Sequence, residues 1–188
     1  MSPTHQFTPL ARLLHWSMAA LIIAMLFIGA GMIAGAPEHY SALVRVHKSI
    51  GITILLLAAI RLIYRLLHPA PPLPADLPAI QKVAAYASHL LLYALMFALP
   101  LVGWTMLSAE GYPILIYGGL RLPPLMHADA MSYAHLRSAH ALLAYLLFAT
   151  VLAHLGAALF HGLIRGDGVL SSMASLRRQS PTSRRHDP

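Results

Sequence analysis

No cysteine occurs anywhere in the chain. Disulfides, thiolate-ligated iron, zinc ribbons, iron–sulfur clusters and the C-x-x-C-H attachment of a c-type haem are thereby excluded. Charge is scarce as well: charged residues make up 10% of the 188, and only six are acidic. Those six, Glu38, Asp76, Glu110, Asp129, Asp167 and Asp187, all fall outside the apolar runs or at their edges. A di-iron carboxylate centre needs carboxylates projecting inward from helices, so the chain has no means of building one. A pathway for bare metal cations is disfavoured on the same ground, because neutral imidazoles do not cancel a cation's charge.

What the chain does contain is apolar length. Hydrophobic residues form 58% of it and the mean hydropathy is +0.66, too apolar for a soluble domain of this size. The class is an all-α integral membrane protein. A net charge of +7 and a pI near 10.1 raise the question of nucleic acid. The basic residues sit at the ends of apolar runs instead of forming one basic face, which is how anchoring charges are placed and argues against nucleic acid.

Four runs are long enough to cross about 30 Å of hydrocarbon. The first, about residues 9–34, resembles a signal peptide in having Arg12 before an apolar run and Ala34-Gly35-Ala36 after it, but it is too long and further spans follow. It is expected to be a retained helix, with His15 and Trp16 one to two turns inside its entrance. A polar turn at Pro37–Tyr40 leads to the second span, about 41–67, which carries His47 and, four residues on, Gly51 on the same face. Gly51 either lets a flat group lie against the backbone or serves helix packing. The proline-rich stretch from His68 to Pro78 ends that helix. The third span, about 80–107, contains His89, Pro100 and Gly103. Residues 108–128 are too interrupted to span and are expected to form a flap on the mouth of the bundle. The fourth span, about 129–165, is followed by a basic tail at 171–188.

An even number of crossings puts both termini on one side of the membrane. Nine basic residues lie on that side (Arg12, Arg61, Arg65, Lys82, Arg165, Arg177, Arg178, Arg184, Arg185) against four opposite, Arg45, Lys48, Arg121 and Arg137. The positive-inside rule makes the termini cytoplasmic.

The fourth span holds His140, His154 and His161 along one helical stripe. Fourteen residues separate the first two, which leaves them about 40° apart in azimuth and about 21 Å apart along the axis. An ionisable residue inside a bilayer reads by default as a functional site. His47 and His140 lie near the non-cytoplasmic ends of their helices and His15 and His154 toward the cytoplasm, so depth pairs His47 with His140 and His15 with His154. His135 is turned about 140° from His140. His5, His39, His68, His127 and His186 fall in loops or tails. Two bis-imidazole sites suit haem, whose porphyrin brings its own negative charge and whose ring fits between apolar helix faces.

Together, His15-Trp16, His47-x-x-x-Gly51, His89-x-x-x-Tyr93 running into Leu99-Pro100-x-x-Gly103, and His140 with His154 resemble the bacterial cytochrome b561 family over about residues 8–166. These are four-helix di-haem membrane proteins related to the cytochrome b subunits of hydrogenases and formate dehydrogenases. The resemblance implies two haem b groups with axial ligands His47 and His140 on the periplasmic side and His15 and His154 on the cytoplasmic side, in a bacterial inner membrane. It also implies electron exchange with the quinone pool. Superoxide oxidation coupled to ubiquinone reduction is the leading expectation, with Arg45, Lys48 and Arg137 placed to attract the anion. An electron-carrying anchor subunit for a partner dehydrogenase or hydrogenase is the alternative. His89 and His161 stay open between competing ligand, partner to a haem propionate, quinone-pocket lining and a structural role. No catalytic residue beyond the ligands is assigned.

Overall fold

The computed structural model describes residues 7–69, 71–73 and 76–174. The tail from 175 onward, and His5 and His186 with it, lie outside the described residues.

Four long helices form the molecule: α1 (Pro9–Ala34), α2 (Pro37–Leu67), α3 (Ala79–Glu110) and α4 (Ala130–Leu159). Each is long and apolar enough to cross a membrane. The starts follow from local chemistry. Thr8 caps α1, its hydroxyl accepting from the Ala11 N–H, with Pro9 preset for the first turn. Asp129 caps α4 by accepting from the Ser132 N–H at 2.8 Å. α2 begins a turn earlier than the expected Ser41, because Pro37 has the φ of a first helical residue and Glu38 sits favourably at the positive end of the helix dipole. The stretch taken for a polar turn is therefore helical.

Pro100 is accommodated inside α3, which runs on to Gly111. There the chain turns with φ +87°, a conformation that glycine adopts without strain. α3 takes in residues 108–110, and the expected flap is formed by residues 111–128. Strands β1 (Ile114–Ile116) and β2 (Leu120–Leu122) pair antiparallel, and Tyr117 and Gly118 both take positive φ at the hairpin turn. Ile114 and Ile116 are buried beneath the hairpin. The tip is pinned to α2: the Tyr117 N–H donates to Ser49 Oγ at 3.0 Å and its hydroxyl to the Ser49 carbonyl at 3.0 Å, with Thr53 Oγ1 also bonded to that hydroxyl. Trp104 Nε1 holds the second half by donating to the Pro123 carbonyl.

α1 packs along α2 and α3 along α4, α2 touches α3 less closely, and α4 stands off from α1 and α2. The gap is closed in the middle by an apolar layer of Met18, Ile22, Ile54, Ala58, Leu95, Met96, Leu99 and Leu147. Outward faces carry exposed Phe27, Leu90, Leu142 and Leu163, the arrangement of a protein whose surrounding solvent is hydrocarbon. α4 passes into a π-helical segment, Phe160–Arg165, ended by Gly166 at φ +63°. A short helix, α5 (Val169–Ala174), then folds back, its Met173 carbonyl accepting from Trp16 Nε1 at 3.1 Å.

Candidate functional site

The middle layer separates two clusters of histidine. On the hairpin side, His47 of α2 faces His140 of α4 with ring centres 6.1 Å apart and planes at 65°. On the side of the termini, His15 of α1 faces His154 of α4 with centres 6.3 Å apart and planes at 67°. His140 and His154 both lie within the regular part of α4, so about 21 Å of helix separates the two levels. α4 thus contributes one imidazole to each cluster across the gap it keeps from α1 and α2.

The hairpin-side rings are shaped by glycine. A Cβ on Gly103 would meet His140 Cε1 at 3.2 Å and Nδ1 at 3.4 Å, so the ring lies directly on the α3 backbone. Gly29 of α1 faces His47 Cε1 at 4.0 Å in the same construction. Gly51, open from the sequence between room for a flat group and helix packing, faces Met25 at ordinary van der Waals distance. The Nδ1 atoms of His47 and His140 are buried without a well-formed hydrogen bond, although the Leu99 carbonyl stands beside the His140 ring. Of the two, only the His140 ring has a backbone carbonyl close by.

The second cluster holds a third ring. His89 of α3 lies 5.5 Å from His154, and Trp16 packs edge-on against His15 at 5.3 Å. Arg61 stands close enough to act electrostatically on His15, His89 and His154, and its Nε donates to the Tyr93 hydroxyl at 3.0 Å. Arg12, which attracted notice only as an anchoring charge, is buried at 7% exposure, with Nε and Nη1 lacking any partner. The signal for this was its spacing: three residues before His15, Arg12 shares that residue's helix face.

His161 lies at the start of the π-helical segment and is taken up by an ion pair. It pairs with Asp167, Nδ1 to Oδ2 at 2.6 Å. Asp167 also receives Arg165 Nε at 2.9 Å, and Arg165 Nη2 reaches Asp76 at 2.5 Å. Burial alone would raise the Asp167 carboxyl, but its hydrogen bonds from His161 and the Val169 N–H, with the charges of His161 and Arg165, hold it below the usual carboxylate range. His135 is exposed, and His68 stacks on Tyr64 at the end of α2.

Four apolar helices that bring imidazoles opposite one another at two depths define the architecture of a membrane cytochrome b. The chain belongs to the prokaryotic cytochrome b561 family, which matches it over residues 6–175. It is 34% identical over 163 residues to cytochrome b561 homolog 2 of Escherichia coli (strain K12), covering 85% of this chain and 86% of that protein. It is 29% identical over 167 residues to the probable superoxide oxidase CybB of Yersinia pestis, covering 88% and 93%. It is 28% identical over 168 residues to cytochrome b561 homolog 1 of the same E. coli strain, covering 88% and 94%. Membership makes this a multi-pass membrane electron-transfer protein whose family cofactor is haem b.

Proposed function

We propose that the chain binds two haem b groups, one between His47 and His140 and one between His15 and His154, and passes electrons from superoxide at the periplasmic face to ubiquinone. The observation that carries the ligand assignment is the spacing of the facing rings. A histidine nitrogen lies about 2.0–2.1 Å from its metal and about 1.1 Å from its own ring centre, so two imidazoles that shared one ion from opposite sides would have centres about 6.2–6.4 Å apart. The two pairs stand at 6.1 and 6.3 Å. His89 and His154, at 5.5 Å, are too close for that arrangement, which favours His15 over His89 as the partner of His154. The glycine under His140 and the gap between α4 and the α1–α2 pair suit a planar group held between these rings.

A haem held by two imidazoles has no open coordination position and supplies one-electron transfer. The chain's own residues then do the rest. The Leu99 carbonyl stands beside the His140 ring, where a ring N–H turned toward it would fix the imidazole and leave the other nitrogen for the iron. The apolar middle layer keeps water and ions out of the space between the two levels. By the positive-inside rule the termini are cytoplasmic, so Arg45, Lys48, Arg121 and Arg137 lie on the periplasmic side, where they favour the approach of a small anion. Two superoxide ions give up one electron each, becoming dioxygen, and one ubiquinone takes both with two protons. The similarity to a protein named probable superoxide oxidase supports this donor.

Stopped-flow decay of superoxide with purified protein and a soluble ubiquinone tests the reading. Acceleration by the isolated chain, with ubiquinol formed at one per two superoxide ions, is expected. No acceleration above that of haem-free protein overturns the superoxide assignment, and turnover only with a co-purifying redox partner favours the anchor-subunit role.

A further inference from the structure

We infer that Arg12 anchors an oxyanion site at the terminal end of the bundle, taking a carboxylate or phosphate group. Arg12 is 7% exposed, yet two of its guanidinium nitrogens are enclosed without a hydrogen-bond partner. Leaving a buried cation unpaired is costly, whereas a guanidinium with a bidentate oxyanion is among the strongest polar pairs available. No ion pair among the described residues includes Arg12, Arg61 or Arg65. The two described carboxylates on this side, Asp76 and Asp167, are both held by Arg165.

Further cations stand at the same end of the bundle, in a cleft that Ala11, the chain neighbour of Arg12, helps to line. Arg61 and Arg65 line a cleft between α1 and α2, together with Ala11, Tyr64 and His68. Tyr64 is fixed by its hydroxyl's hydrogen bond to Thr8 Oγ1 at 2.8 Å, and Arg61 is aimed by Tyr93. Arg12 shares its helix face with His15, one turn nearer the end of α1, and Arg61 acts electrostatically on both His15 and His154. An anion seated here lies one turn beyond that imidazole pair. Two sources have the required chemistry: the propionate of a haem held by His15 and His154, which rests on the function proposed above, and the phosphate of an anionic lipid at the membrane border, which does not.

The test uses the purified holoprotein with Arg12→Gln, Arg12→Lys and Arg12→Met. Three quantities are read: the rate of haem loss to excess apomyoglobin, the midpoint potentials, and the anionic lipid retained through detergent exchange, by mass spectrometry. A propionate predicts that Arg12→Gln speeds loss of one haem about ten- to hundred-fold, the worth of a charge-assisted hydrogen bond, lowers one of two potentials and is largely rescued by Arg12→Lys. A lipid phosphate predicts haem loss and potentials unchanged, with retained phosphatidylglycerol or cardiolipin falling at least several-fold in Arg12→Gln and recovering in Arg12→Lys. Arg12→Met keeps the bulk of the side chain without charge. If it leaves haem loss, potentials and lipid as in the wild type, the oxyanion site is refuted. Wild-type protein without haem defeats the cofactor reading alone, and the lipid measurement then decides the site.

Discussion

The imidazole of His140 rests against the bare backbone of Gly103, with only 3.2 Å between its Cε1 and the place a Cβ would occupy. The two residues come from adjacent, closely packed helices, so neither can retreat without moving a span. Gly103→Ala is expected to displace the ring by a few tenths of an ångström and Gly103→Val by more, at a cost of about 1–3 kcal/mol for the overpacked variant. If His140 is an axial ligand, the cost appears first as loss of one haem, before any loss of helix content. Haem-to-protein ratio and circular dichroism on the same samples check this, and a Gly103→Val protein with undiminished haem would contradict it.

The four spans, the flap and the facing of histidines at two depths were legible because membrane helices leave a long apolar signal and because 100° per residue holds along a regular helix. Where the helix changes type the spacing says less: nothing in Phe160-His161-Gly162 announces a π turn, and the pairing of His161 with Asp167 depends on how the chain folds back after it. Gly51 was noticed because it is four residues from His47 in the same helix, whereas Gly103 presses on a histidine of another helix. That relation depends on how α3 and α4 dock, which no spacing within one segment encodes. Arg12 was read as an anchor since terminal arginines usually are, and its burial likewise depends on neighbouring helices.

His154 has two imidazole neighbours, and their separations make different predictions. At 6.3 Å His15 matches two ligands on opposite sides of one iron, whereas His89 at 5.5 Å falls short. His15→Ala, His154→Ala, His47→Ala and His140→Ala are each expected to lower the haem ratio from about two per chain to about one, since each pair holds one haem in the proposed arrangement. His89→Ala is expected to keep both haems with a shifted potential. A pyridine haemochrome assay decides, and loss of a haem from His89→Ala with retention in His15→Ala would exchange their roles.

The Asp167 carboxylate ties the π-helical end of α4 to α5 through His161 and the Val169 N–H. Its folded-state pKa lies below the ordinary carboxylate value, so its contribution is complete above the unfolded pKa of about 3.9 and is lost as pH falls through the lower folded value. Trp16, bonded to the Met173 carbonyl, reports on the docking of α5. In a Trp104→Phe background, tryptophan emission is expected to change as pH drops below about 3.9. Asp167→Asn is expected to lack that transition and to show weaker docking at neutral pH. Identical pH profiles in the two proteins would show that Asp167 does not hold α5.

Arg45 precedes His47 on α2 and Arg137 lies one turn before His140 on α4, both exposed at the hairpin side. Exposed cations contribute little to stability, so replacing them should leave haem content and thermal unfolding nearly unchanged. Their field is another matter, because an anion arriving by diffusion is steered by charges that stand apart from any contact. Arg45→Gln with Arg137→Gln is expected to slow superoxide consumption about ten-fold at low salt. The wild-type rate should fall as ionic strength rises and the screening length shrinks from about 30 Å at 0.01 M to about 10 Å at 0.1 M, with the double variant much flatter. The pair of salt series separates steering from anchoring: a wild-type rate indifferent to salt, or a variant with the same slope, would leave these arginines as helix-end anchors and remove them from substrate capture.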